Sequence, residues 1–223
     1  MKREKLDIIF EDKYIIVVNK PAGLFTISTD KEKYKTLFYQ VFEYLKKKNK
    51  SNKVFIVHRL DKDTSGLVVF AKSESIKRNL QENWDKVIRE YIAVVNGRVE
   101  KNKGIIESYL KETKTLLVYS TNDKVHGKLA ITEYEMLESN KLYSLLRINI
   151  KTGRKNQIRV HLNDIDHSIV GDKKYGKIKT KGINRLCLHA NYLEFIHPVT
   201  KELLKLKTEI PKELLRLMEY KKI

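Results

Sequence analysis

The stretch HRLDKDTSGLVVFAK, residues 58–72, decides how this chain is read. Two carboxylates, Asp61 and Asp63, stand among His58, Arg59, Thr64, Ser65 and Gly66, with the apolar runs VFIV (54–57) before them and GLVVFA (66–71) after. Charged and turn-forming residues between two β-branched runs place a polar loop between strands. Such a loop suits a cation, a phosphoryl group or the ribose of a nucleotide.

Outward from this loop the texture is mostly strand. IIF (8–10), YIIVVN (14–19), YIAVV (91–95), GIIESYL (104–110), TLLVYS (115–120), ITEYEML (131–137), LYSLLRINI (142–150) and RLCLHANYLEF (185–195) are rich in β-branched or aromatic residues, and several alternate. Helical spacing marks KTLFYQVFEYLKKK, where Leu37, Phe38, Val41, Phe42 and Leu45 share a face, and SIKRNLQENW, with Ile76, Leu80 and Trp84. IPKELLRLMEY puts Pro211 at a helix start, and in TGRKNQIRVHL the residues Ile158, His161, Leu162 and Ile165 share a helix face. The predicted fold is α+β, a large, mostly antiparallel mixed sheet with peripheral helices. No strand runs into GxGxxG or GxxxxGK[ST], which argues against a Rossmann or P-loop nucleotide site.

The 223 residues contain only three prolines and nine glycines, so no flexible linker stands out, and a single domain over 1–223 is expected. Lys and Arg outnumber Asp and Glu by 46 to 28, a formal charge of +18 spread along the whole chain, which suits a polyanionic partner and equally a merely lysine-rich, highly charged surface. Cys187 is the only cysteine and lies in the apolar run RLCLHA, so it reads as a small buried hydrophobe. The N-terminus lacks the apolar core of a signal peptide, and no run approaches the roughly 18 apolar residues of a membrane helix. A cytoplasmic protein without a membrane partner is expected.

As a calcium loop, Asp61, Asp63, Ser65 and Gly66 match the first six positions of an EF-hand. Lys72 then falls where the bidentate glutamate belongs, and strands flank the loop instead of helices. As a phosphotransferase, VFIVHRLDKDT is similar to a strand ending in DxDxT, the haloacid-dehalogenase signature. Here HRL intrudes before Asp61, and no later strand ends in an acidic pair for magnesium.

The whole segment, HRLDKDTSGLVVFAKS, resembles the signature of the RluA-type pseudouridine synthases. Further blocks are similar to that family in the same order: IIFEDKYIIVVNKPAGL (8–24), REYIAVVNG (89–97), TGRKNQIRVHL (152–162) with IVGDKKYG (169–176), and LHANYLEFIHPVTKE (188–202). The resemblance implies the pseudouridine synthase fold with a catalytic cleft. It also implies an isomerase that detaches uracil from C1′ of a uridine in RNA, turns it and rejoins it through C5. Breaking a glycosidic bond develops positive charge on the sugar, which a carboxylate can capture or stabilise.

By motif match the essential aspartate is Asp61, with its mode of attack left open. The resemblance supplies Arg159 as its ion-pair partner, because a carboxylate in a dry pocket needs a cation to stay charged. Tyr91, by itself a strand aromatic, takes the family's place against the uracil. Arg59 matches an arginine that helps flip the base out of the stack, or else contacts phosphate. His58, Thr152, Gly153, Arg154 and Gln157 complete the expected RNA contacts, the helix start beside Arg154 suiting a phosphate. Asn156 stands where the family often has histidine, and Asp63 lies at a position where it accepts other residues.

His58 and His161 read as hydrogen-bonded structural histidines, and no metal site, nucleotide or redox cofactor is expected. The chain is read as opening on the catalytic block without an S4-type RNA-binding domain, so recognition is expected from the basic surface or from the RNA's own shape. The implied partner is RNA, ribosomal ahead of transfer RNA, with no obligate protein partner and a monomeric state. The alternative from another class is a non-catalytic RNA-binding module, against which the retention of Asp61, Tyr91 and Arg159 together argues.

Overall fold

The structure, a computed structural model, describes residues 6–28, 32, 34–176, 178 and 182–219. Residues 1–5 of the basic N-terminus and Tyr220, at the end of the last predicted helix, lie outside them. In chain order the elements are β1 (Ile8–Glu11), β2 (Ile15–Lys20), α1 (Leu37–Lys48), β3 (Phe55–Ile56), β4 (Ser65–Ala71), α2 (Glu74–Glu82), β5 (Ile88–Asn96), β6 (Lys103–Glu112), β7 (Val118–Thr121), β8 (Lys128–Ser139), β9 (Tyr143–Ile150), α3 (Gln157–Asp164), β10 (Leu188–Ile196), β11 (Leu203–Lys207) and α4 (Lys212–Met218). They pack as two compact units, Met1–Ile88 with Ala190–Glu209, and Arg89–His189 with Ile210–Ile223.

In the first unit the strands run in the order β1, β2, β4, β10, with β11 on β10 and the short β3 on β4. The β1–β2, β2–β4, β3–β4 and β10–β11 pairs are antiparallel. β4 is buried along its whole length and β2 along nearly all of it, as their unbroken apolar runs require. Each fully buried Val, Ile or Leu contributes roughly 1.5–3 kcal/mol relative to an exposed one. Thr36 caps α1 by accepting from the Tyr39 amide at 3.2 Å, and Lys46, Lys47 and Lys48 complement the dipole at its other end. Of the predicted apolar face, Leu37, Val41 and Leu45 are buried, while Phe38 and Phe42 stay partly exposed at its flank.

The second unit is an antiparallel sheet in the order β5, β9, β8, β6, β7, so that β5 pairs β9 and β6 pairs β8 out of chain order. Its core takes Ile92, Val94, Leu146 and Ile148 from the sheet, Ile158 and Leu162 from α3, and Leu214 and Leu217 from α4. β7 begins only at Val118, because Leu116 adopts a left-handed φ of 63° inside the turn closed from the Leu116 amide to the Thr113 carbonyl. β11 has no counterpart among the predicted strands: in LLKLK a short alternation turns Leu204 and Leu206 inward and Lys205 and Lys207 outward, behind an exposed Leu203. The α+β class with largely antiparallel pairing holds in both units.

Candidate active site

Asp61 opens a tight turn, Asp61–Lys62–Asp63–Thr64, closed by a hydrogen bond from the Thr64 amide to the Asp61 carbonyl at 3.2 Å. The turn is pinned from beneath. Lys20, at the end of β2 and fully buried, donates its ammonium to the carbonyls of Lys62 (2.9 Å), Leu24 (2.7 Å) and Pro21 (3.0 Å). The Gly23 amide also reaches the Lys62 carbonyl at 2.9 Å. On the approach to the turn, the Thr26 hydroxyl donates to the Leu60 carbonyl at 2.7 Å and accepts from the Leu60 amide at 3.2 Å.

On the far side, Gly66 stands opposite Lys20 in the β2–β4 register with φ of +117°. A Cβ there would lie 2.2 Å from the Ala190 carbonyl oxygen, so only glycine lets β4 approach β10. The result is a half-buried Asp61 carboxylate on a rigid turn, with Asp63 exposed beside it. A carboxylate carried on a backbone so braced can capture or stabilise a cationic carbon. Lys20 and Thr26 escaped the sequence reading. A lysine closing the otherwise buried strand IIVVNK was the available signal for the first.

Arg59 is exposed, one residue from the buried Leu60. The His58 ring stacks on Trp84 at 4.4 Å between centroids, and its Nε2 accepts from the Val69 amide at 3.1 Å. An accepting Nε2 makes this a neutral imidazole with its proton on Nδ1.

In the second unit Tyr91 sits on β5, partly buried against the core and paired in register with Ile148. Arg159 lies on α3, whose first six residues are all buried. Its guanidinium forms a two-pronged pair with Asp172, Nε to Oδ2 at 2.8 Å and Nη2 to Oδ1 at 2.7 Å, and lies 5.1 Å over the Tyr175 ring. Burial would push the Asp172 carboxyl up, but the Arg159 fork and the amides of Tyr175 and Lys174 together hold it below the usual carboxylate range. Asp172 falls within IVGDKKYG, yet nothing in the spacing marks it as the residue that orients Arg159.

The segment before α3 is held by side chains. Gln157 donates to the Ile131 carbonyl (2.9 Å) and Thr132 Oγ1 (3.0 Å), and accepts from Thr152 Oγ1 (2.7 Å) and the Arg154 amide (3.0 Å). Thr152 in turn accepts from the Ile131 amide at 2.9 Å. Gly153 and Arg154 are exposed, Arg154 Nε donating to the Leu129 carbonyl at 2.9 Å. Asn156 takes a left-handed φ of 54°, a conformation asparagine tolerates, and donates to the Tyr175 hydroxyl at 2.9 Å.

His161 bonds Thr132 through Nδ1 (2.9 Å) and Ser108 through Nε2 (3.0 Å), and burial pushes its pKa down to about 4. Cys187 is fully buried, and burial pushes its thiol up to about 12. Among the described residues no group of three or more His, Cys, Asp or Glu side chains could hold a metal ion, and no described helix is long and apolar enough to cross a membrane.

Known proteins share this fold. The human RNA pseudouridylate synthase domain containing 4 superposes with a TM-score of 0.78 over 96% of this chain and 92% of its own, at 24% identity. Ribosomal large subunit pseudouridine synthase D of Blochmanniella floridana is 35% identical over 96% of this chain and 72% of its own length. tRNA pseudouridine synthase C of Haemophilus ducreyi is 34% identical over 88% and 87%. The family described as RNA pseudouridylate synthase matches residues 14–164, a span that includes the Asp61 turn, Tyr91 and Arg159. By these matches the chain belongs to the RNA pseudouridine synthases, and to their RluA-type branch.

Proposed function

We propose that this enzyme isomerises specific uridines of structured RNA at Asp61, and that its substrate is large-subunit ribosomal RNA. The observation that carries the reading is the Asp61 turn itself: a half-buried aspartate within the family match, on a turn whose backbone is braced by the Lys20 ammonium at Lys62 and by the Thr26 hydroxyl at Leu60. Asp61 acts on the target uridine once it is flipped from the stack. Arg159 supports the reaction as a cation already aligned by Asp172. Tyr91 faces the uracil as the proton leaves C5, and Arg59 assists extrusion of the base.

Relatives named for the ribosomal large subunit favour that substrate. The transfer-RNA reading stays alive because the relative named for transfer RNA is matched over most of its own length. Pseudouridine mapping of total RNA from cells with and without the gene separates the two. A site lost from large-subunit ribosomal RNA supports the first reading, a site lost from transfer RNA the second, and an unchanged map of both removes the isomerase reading.

A further inference from the structure

The flank of α1 carries a feature that the isomerase chemistry does not use. Phe38, Tyr39 and Phe42 stand side by side, all partly exposed. The Phe38 and Phe42 rings lie within 20° of parallel with centroids 6.5 Å apart, and those of Tyr39 and Phe42 within 27° at 6.2 Å. Tyr34, 67% exposed, meets Tyr39 edge-on at 5.2 Å. Phe38, Tyr39 and Phe42 border a shallow pocket of about 320 Å³, together with Asn52.

The rim is cationic. Lys46 places its ammonium 5.5 Å over the Phe42 ring, Lys53 also lines the pocket, and no carboxylate is among the described residues that border it. A protein-docking groove would not need this combination of near-parallel ring faces and an all-positive rim. It does fit a nucleotide, whose base stacks on aromatic faces while its phosphate meets lysine.

The patch is also tied to the reactive loop within the same unit. The amides of Leu37 and Phe38, at the start of α1, donate to the carbonyls of Phe25 and Thr26 at 2.8 and 3.0 Å. The Thr26 hydroxyl then grips Leu60, the residue before Asp61. RNA held on α1 is therefore held by the element that braces the Asp61 turn.

We propose that the Phe38–Tyr39–Phe42 face with Lys46 and Lys53 is a stacking platform for an unpaired nucleotide of the RNA substrate, outside the target uridine's own pocket. This rests on the RNA-modifying reading above and adds a single-strand contact to it. The test compares the full-length wild type with a Tyr39→Ala/Phe42→Ala double variant. The probes are a fluorescein-labelled oligouridylate of about 12 nucleotides, within the span of single-strand sites, and a blunt duplex of the same length.

The double variant should bind the single strand about tenfold or more weakly while binding the duplex as the wild type does. Phe42→Trp, which keeps a stacking face, should retain single-strand binding. Lys46→Glu/Lys53→Glu keeps the three rings and reverses the charge of the rim. It should weaken binding and flatten the salt dependence by about 0.7 in log–log slope for each phosphate no longer neutralised. Circular dichroism checks that each variant is folded. Turnover at saturating RNA should be unchanged in all of them and the apparent KM raised, so a wild type that binds in this pattern but isomerises nothing would fail the isomerase reading and leave the platform standing. Equal losses on both probes in a folded double variant, or oligouridylate binding untouched as a protein-docking patch would leave it, overturn the proposal.

Discussion

Arg159 and Asp172 meet in a buried two-pronged ion pair, both carboxylate oxygens accepting from one guanidinium at 2.7 and 2.8 Å. Asp172 Oδ1 also accepts from the Lys174 and Tyr175 amides, so the acid is fixed before it orients the arginine. Removing one half of such a pair leaves a buried charge behind. Asp172→Ala should therefore destabilise the protein by about 3–5 kcal/mol in urea unfolding. Arg159→Ala should also abolish most activity, and Arg159→Lys should recover only part, since an ammonium cannot form the fork. A wild-type unfolding midpoint for Asp172→Ala would remove the pairing's structural weight. Wild-type turnover for Arg159→Ala would remove Arg159 from the chemistry.

Asp61 and Asp63 are chemically alike and structurally unequal, one half-buried at the head of a pinned turn and the other exposed. Asp61→Asn should abolish tritium release from C5-labelled uridine in RNA while preserving fold and RNA affinity. Asp63→Asn should keep most of the activity, and chelation with EDTA should leave the wild type unharmed. Equal inactivation by the two substitutions, or loss of activity on chelation, would return the segment to a metal-dependent reading.

The bracing of the Asp61 turn can be loosened by substitutions at residues other than Asp61. Lys20→Met deprives three carbonyls of their shared donor and should cost roughly 1–3 kcal/mol. Its effect on kcat should exceed what the lost stability explains. Gly66→Ala forces a Cβ onto the Ala190 backbone at a φ that L side chains rarely adopt, and should be the more destabilising of the two. Thermal unfolding alongside single-turnover rates checks both, and a Gly66→Ala protein as stable as the wild type would contradict the close β4–β10 approach.

Acid should weaken the first unit through Glu11. Burial raises its carboxyl, but Lys72, Lys48 and the Tyr44 hydroxyl outweigh that and hold it at about 2 against an ordinary 4.5. A carboxyl depressed on folding adds stability that is complete above its unfolded value and drains as pH falls through its folded one. The loss should fall between about pH 5 and pH 2 and amount to roughly 1–2 kcal/mol after discounting for solvent screening. Denaturant titrations of the wild type and Glu11→Gln across that window provide the check. Parallel pH profiles for the two proteins would rule Glu11 out as the source.

Elements with strong local signals are legible along the chain. β2 and β4 are unbroken β-branched runs, α1 repeats its apolar residues at helical spacing behind a Thr36 cap, and Pro211 stands as the N-cap of α4. The signature HRLDKDTSGLVVFAKS leads to the family because its spacing is long and specific. β11 and the shortened β7 are not legible in this way. In β11 the alternating run is only four residues long and opens on an exposed Leu203, and in β7 one left-handed residue, Leu116, delays the strand.

The class of fold, the family and the candidate residues are thus written in the amino-acid order, because periodicity and motif are properties of neighbours along the chain. What holds those residues in place is set only when the chain folds. Lys20 reaches Lys62 across 42 positions, Thr26 grips Leu60 across 34, and Asp172 aligns Arg159 from 13 away. Folding also turns Gln157, expected at the RNA, inward to four hydrogen bonds beneath the start of α3. Buried polar groups must find partners wherever the fold places them, and no local pattern encodes a partner that only folding brings within about 3 Å.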